Sequence, residues 1–280
     1  MPERNRLFGD WFQDPRWLRW FLVGTGMSLL VYLANIVFGE VRPGNLWSFF
    51  YALGATVLML GAGAIGLRRR MVRMAARRPL GRTGTWLQFH LYGGALSLLL
   101  VFMHCGFRVP VGLLDWWLWF LSIWVTASGL LGVLLQKVIP RMLASGLSIE
   151  VVYERIPDLV VQIRERSESL ALTCVAPVQD YYRKTMAAAL AEPTARWTYA
   201  VDITGGIQRE LREFSYLRDV LATEEREKLD RLQELYRTKL EIDAHFTLQK
   251  ALRWWLVTHV PVSLVLLLLI FLHLFAVLYY

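Results

Sequence analysis

Five stretches of the chain, residues 17 to 39, 46 to 67, 85 to 107, 112 to 136 and 254 to 279, run apolar with almost no charge. At a rise of about 1.5 Å per residue each is long enough to cross a hydrocarbon core of about 30 Å, so each predicts a membrane-spanning helix. The pattern changes between 138 and 253. There apolar positions recur at helical spacing among many charges, as in solvated amphipathic helices. The expected fold is an all-α membrane protein: five transmembrane helices in a bundle, with a mostly helical cytoplasmic insert between the fourth and fifth. By segment, residues 1 to 137 carry helices one to four, 138 to 253 the insert and 254 to 280 the fifth helix.

Within the insert, Pro140, Gly146 and Pro157 are expected to interrupt structure, and LSIEVVY has the composition of a short strand. Helices are predicted over 157 to 172 and 177 to 191. Another is predicted after the turn signal Gly205-Gly206, to about residue 220. A last one starts near Thr223 with Glu224 and Glu225 in its first turn, where the macrodipole favours acids. No glycine or proline follows until Pro261. That helix is therefore expected to continue directly into the fifth span, coupling the insert to it. Its stripe of Leu229, Leu232, Tyr236 and Leu240 should pack on the helix of residues 207 to 220.

Composition agrees with the spans. A hydrophobic content of 55%, 12 tryptophans and a positive mean hydropathy are too apolar for an ordinary soluble domain. The first apolar run is too long for a signal peptide and no small-residue cleavage site follows it, so a retained span is expected. The net charge of +8 is concentrated in one loop: Arg68, Arg69, Arg70, Arg73, Arg77, Arg78 and Arg82 stand there without an acidic residue. The positive-inside rule places that loop and the N-terminus in the cytoplasm and the C-terminus outside, in a bacterial inner (plasma) membrane. The charge is thereby explained by membrane topology and lipid contact, with no role for nucleic acid.

Four of the five histidines lie in the third and fifth spans, as His90 and His104 and as His259 and His273, each pair separated by 14 residues. Ionisable side chains within a membrane are costly and mark functional sites. That separation is a rise of roughly 21 Å, and it places both imidazoles of a pair on one side of the helix. Spans three and five both run outward. His90 therefore pairs in depth with His259 at the inner level, and His104 with His273 at the outer level. Bis-imidazole ligation of two haem b groups uses such an arrangement, with irons on the order of 20 Å apart. A metal-transport path would be expected to bring carboxylates to the same depth, and spans three and five contain none.

The two H-x13-H pairs resemble those of the transmembrane two-haem b cytochromes, both the cytochrome b of quinol-oxidising complexes and the membrane domain of ferric reductases and NADPH oxidases. In the second group the ligand helices are likewise the third and fifth. The resemblance covers residues 17 to 137 and 254 to 279 and omits the insert. It implies four axial ligands, His90, His104, His259 and His273, and electron transfer across the membrane. No sixth span and no flavin or nicotinamide domain follows Tyr280, and the quinol-site signatures of the complex-III protein are missing. Self-contained NADPH oxidation or flavin reduction is thus not expected.

Other residues are candidates around such haems. Gly93 and Gly94, one turn beyond His90, would let a flat macrocycle approach the backbone or would favour helix packing. Arg82, Arg253 and Lys250 near the inner level and Arg108 near the outer one could pair with propionates or anchor the chain at the interface. Cys105 and Cys174 form no CxxCH or iron–sulfur pattern, so any haem is noncovalent. His245 falls in the insert, outside the bilayer, and is expected at the surface or in packing.

The function expected is an electron-carrying subunit of a larger oxidoreductase complex. Its insert would dock a cytoplasmic iron–sulfur or flavin protein, and an external cytochrome or a quinone would be the other partner. The alternatives are a terminal cytochrome b that reduces quinone or ferric iron, and a haem or metal transporter without redox turnover. Tyr92, Gln88 and Trp254 are the candidates for a quinone site.

Overall fold

The computed structural model describes residues 15–39, 45–70, 81–147 and 151–279. Among them every regular element is helical. Parts of the arginine-rich loop (71–80), of the first outer loop (40–44) and of the expected strand (148–150), with the N-terminal 14 residues, lie outside the described residues. The helices are α1 (Pro15–Phe38), α2 (Leu46–Arg70), α3 (Thr83–His104), α4 (Leu113–Gly146), α5 (Ile156–Ala171), α6 (Ala176–Tyr181), α7 (Ala187–Ala189), α8 (Ile203–Val220) and α9 (Thr223–Tyr279). Five of them, α1 to α4 and α9, are long and apolar enough to cross a membrane. The chain is a multi-pass membrane protein with lipid around its spans.

Local chemistry sets several helix ends. Asn45 caps α2, its Oδ1 accepting from the Ser48 N–H at 2.8 Å. α3 ends at His104, three residues short of the predicted limit. Gly106 and Phe107 adopt positive φ, the Phe107 N–H donates to the Phe102 carbonyl and the Gly106 N–H to that of Met103. These two bonds make a Schellman stop, and the Phe102 and Phe107 rings stack across it at 5.9 Å.

One expected interruption is absent. Pro140 lies inside α4, because a proline removes only one ladder bond and long helices tolerate that loss when they pack on neighbours; α9 likewise contains Pro261. The described part of LSIEVVY forms no strand; Tyr153–Arg155 is a turn of 3-10 helix leading into α5. The helix predicted over 177 to 191 divides into α6, a π-turn at Tyr182–Met186 and the three-residue α7.

Gly205 and Gly206, read as a turn before a helix, sit instead in the first turn of α8. Asp202 caps that helix by accepting from the Gly205 N–H at 2.8 Å. A Cβ at Gly206 would lie 2.7 Å from the Tyr199 ring, so the glycine is what lets α8 close on that tyrosine.

The chain divides into two compact units: Met1–Val133 with Leu256–Tyr280, and Leu134–Trp255. In the first, α3 packs chiefly on α2 and also on α1. Small residues make this possible: Gly54 faces Leu100, Gly61 faces the Phe89 ring and Gly24 faces Leu96. Large apolar side chains such as Val37, Phe38, Leu30 and Leu278 point outward, as lipid contact requires.

The second unit has an ordinary protein core. Leu229, Leu232, Tyr236 and Leu240, the expected stripe of α9, are fully buried. Tyr236 meets Phe214 of α8 with ring centres 5.9 Å apart, as anticipated. The Lys239 ammonium and the Asp243 carboxylate, both sealed from solvent, pair at 2.6 Å. Burial pushes the lysine pKa down and the aspartate pKa up. Asp243 also accepts from the Thr194 N–H at 2.9 Å, and Thr247 accepts from the Arg196 N–H at 3.0 Å, which ties the 194–196 segment to α9. Arg196 in turn pairs with Glu210. His245 is buried, a packing histidine and not a surface one.

Candidate functional site: four tethered imidazoles

The four intramembrane histidines all belong to the first unit, and each is held through Nδ1 by a neighbouring helix. His90 Nδ1 lies 2.9 Å from the Ala62 carbonyl of α2. His104 Nδ1 lies 3.0 Å from the Ser48 carbonyl and 2.9 Å from its hydroxyl, also on α2. His259 Nδ1 meets the Ser128 hydroxyl of α4 at 2.8 Å. His273 Nδ1 meets the Asp115 carboxylate at the start of α4 at 3.1 Å.

The partners determine the tautomer. A carbonyl or carboxylate oxygen can only accept, so Nδ1 carries the proton at His90, His104 and His273. At His259 the Ser128 hydroxyl already donates to the Val125 carbonyl at 3.0 Å, and its oxygen is left to accept from Nδ1. At His90 and His104, whose partners are carbonyls, the neutral ring therefore carries its lone pair on Nε2. Metal-bound histidines show this arrangement, with Nδ1–H anchored and Nε2 ligating. Nε2 makes no hydrogen bond at His90, His104 or His273 among the described residues.

His90 and His259 face one another with ring centres 6.3 Å apart and planes at 78°. An iron clasped axially by two imidazoles needs ring centres about 6 Å apart, from two metal–nitrogen bonds of about 2.0 Å and two ring radii. The pair fits that span. Backbone approaches it closely on one side, since a Cβ at Gly129 would lie 3.5 Å from the His259 ring. Beside Gly94 a Cβ would meet nothing within 4 Å, leaving space one turn beyond His90, whereas Gly93 is packed against Phe89.

His104 and His273 are not in ring contact among the described residues. Near them lies a buried polar atom without a partner among the described residues. The Trp119 indole N–H, one turn after Asp115 on α4, is sealed from solvent without an acceptor among the described residues. Its ring stands edge-on to Phe102 of α3 at 6.1 Å. An unsatisfied donor at membrane depth is costly, and an acidic ligand group would relieve it.

Among the described residues, no three or more His, Cys, Asp or Glu side chains come together as a direct metal cage. Two imidazoles per level are what a haem iron takes, since the porphyrin supplies the other four nitrogens. The two nitrogen donors of the His90/His259 pair, and their spacing, are of the kind such an iron takes.

The arginine candidates are placed as follows. Arg253 pairs with Glu154 and lies over the Tyr153 ring at 3.8 Å, so its guanidinium is engaged within the second unit. Lys250 lies over Phe246 at 5.3 Å. Arg82 precedes the first turn of α3 and Arg108 follows its last, both exposed. Tyr92 stacks obliquely on Phe21 at 5.5 Å, Gln88 is buried and Trp254 is exposed.

Sequence reasoning missed the groups that hold the rings: Ala62, Ser48, Ser128 and Asp115. One of them had a signal, because Asp115 is the only acidic residue in the five apolar stretches. No family model, curated protein or solved structure matches this chain.

Proposed function

We propose that this protein is a membrane b-type cytochrome that carries electrons between the two faces of a bacterial plasma membrane, as a subunit of an oxidoreductase complex. The observation that supports this most strongly is the anchoring of four imidazoles through Nδ1, with His90 and His259 at the spacing of a bis-imidazole clasp. His90 with His259, and His104 with His273, are the residues that would hold two b haems. Bound there, such haems would supply one-electron redox chemistry.

The chain's own contribution is orientation and environment. Ala62, Ser48, Ser128 and Asp115 hold each ring through Nδ1. Gly129 admits the His259 ring against α4, and Trp119 offers a donor to an acidic group at the second level. The second unit, with its own core, is where a cytoplasmic iron–sulfur or flavin protein would dock. A quinone or an external cytochrome would complete the path.

The test is a reduced-minus-oxidised absorption spectrum of the purified chain, expressed with ample haem supply, with haem quantified as the pyridine haemochrome. Two low-spin b haems per chain are expected. A haem-free protein would overturn the assignment.

A further inference from the structure

The four tethers are chemically unequal. At His90, His104 and His259 the Nδ1 proton is received by a neutral oxygen, from the Ala62 carbonyl, the Ser48 carbonyl and hydroxyl, and the Ser128 hydroxyl. At His273 alone the acceptor is a carboxylate, Asp115 Oδ1 at 3.1 Å. Asp115 lies in the first turn of α4, where unpaired backbone N–H groups favour an anion. Its negative charge is thus supported from behind by the helix and directed at one imidazole.

An anionic acceptor draws the Nδ1 proton toward itself and raises the donor strength of Nε2 on the far side of the ring. A stronger donor favours the more oxidised state of the metal it binds. The carboxylate is about half exposed, so solvent weakens this influence without removing it. Resting on the two-haem function proposed above, we propose that Asp115 is a positioning residue that aims His273 and holds down the potential of the haem at the His104/His273 level. Neutral tethers leave the His90/His259 level without that bias. An electron shared between the two levels is therefore drawn toward His90 and His259.

The experiment is spectroelectrochemical titration of the full-length chain in lipid nanodiscs, comparing the native protein with Asp115→Asn and Asp115→Glu. The haem at each level is assigned by its loss in His273→Ala or His259→Ala. Asparagine keeps an oxygen acceptor and removes the charge, so both haems should remain. The midpoint of the His104/His273 haem should then move to a more positive potential, while the other stays in place. Glutamate should leave both midpoints near those of the native chain.

Two unmoved midpoints in a fully loaded Asp115→Asn protein would overturn the inference, as would an equal shift of both. Should asparagine release the haem at this level, the glutamate variant decides. Retention there at the native midpoint supports the anionic role, and loss there too assigns Asp115 to helix folding alone and overturns it. A native chain that binds no haem overturns the electron-transfer function and this inference together, whereas every preceding outcome bears on Asp115 alone.

Discussion

The two units remove polar groups from solvent in opposite ways. In the second unit they are closed on one another: Lys239 on Asp243, Asp243 on the Thr194 amide, Arg196 on Glu210, and the Tyr236 hydroxyl on Glu210 at 3.3 Å. In the first unit each imidazole of the apolar helices is tied through Nδ1 to a group of a neighbouring helix. Satisfied polar networks specify a fold. The two units also differ in their cores. The second buries large side chains such as Tyr199, Phe214 and Leu232, while the first joins helices through Gly54, Gly61 and short buried clusters, with its bulk facing lipid.

The largest expected effect lies in the first unit. Replacing His90 or His259 by alanine should remove the haem of that level and leave the other, seen as loss of one component from the reduced-minus-oxidised spectrum. Loss of neither haem from either variant would erase the functional half of the contrast.

Next comes the buried pair of the second unit. Asp243→Ala leaves an ammonium buried without its partner and should cost about 3–5 kcal/mol, measured by denaturant unfolding of the solubilised chain followed at the insert. The double substitution Lys239→Met with Asp243→Leu should recover most of that loss. If the single variant is as stable as the native chain, the pair is not sealed from water.

The cores can be compared directly. Leu232→Ala, at a fully buried position, should cost about 2–5 kcal/mol. Leu30→Ala, at a lipid-facing position of α1, should change stability by less than about 0.5 kcal/mol. Equal costs would mean that the face of α1 carrying Leu30 is covered by protein. Ser128→Ala is a smaller change: it removes one acceptor from His259, with an expected cost of about 0.5–1.5 kcal/mol and the haem retained.

The smallest effect appears only in alkali. Burial raises the phenols of Tyr199 and Tyr236 to about 12, against the ordinary value of about 10. Their contribution to the stability of the second unit is complete below pH ~10 and is lost as pH rises toward ~12, because the unfolded chain ionises first. Tyr236→Phe should flatten that part of the alkaline unfolding curve and leave the neutral region's pH dependence as it is. An unchanged alkaline limb would count against burial as the cause.

Much of this protein is a matter of local composition. The five spans, the start of α9 at Thr223 with its acidic first turn, and the burial of Leu229, Leu232, Tyr236 and Leu240 all follow from apolar periodicity and capping chemistry along the chain. The matched histidine spacing is legible for the same reason, since 14 residues of helix bring a side chain back to nearly the same face wherever the helix stands. Other features depend on a neighbour the chain pattern does not name. α3 stops at His104 because Gly106 and Phe107 turn and Phe107 stacks on Phe102. α4 continues through Pro140, and α8 takes in Gly206 because the Tyr199 ring occupies the space of a Cβ.

The sequence by itself determined that four imidazoles lie in apolar helices at two matched depths. Only the tertiary structure decided which oxygen each Nδ1 meets, because that depends on how α2 and α4 are rotated against α3 and α9, and rotation is set by packing across helices. For the same reason Asp115, conspicuous in the chain as a single carboxylate among the spans, acquired a chemical meaning only when it was found beside His273.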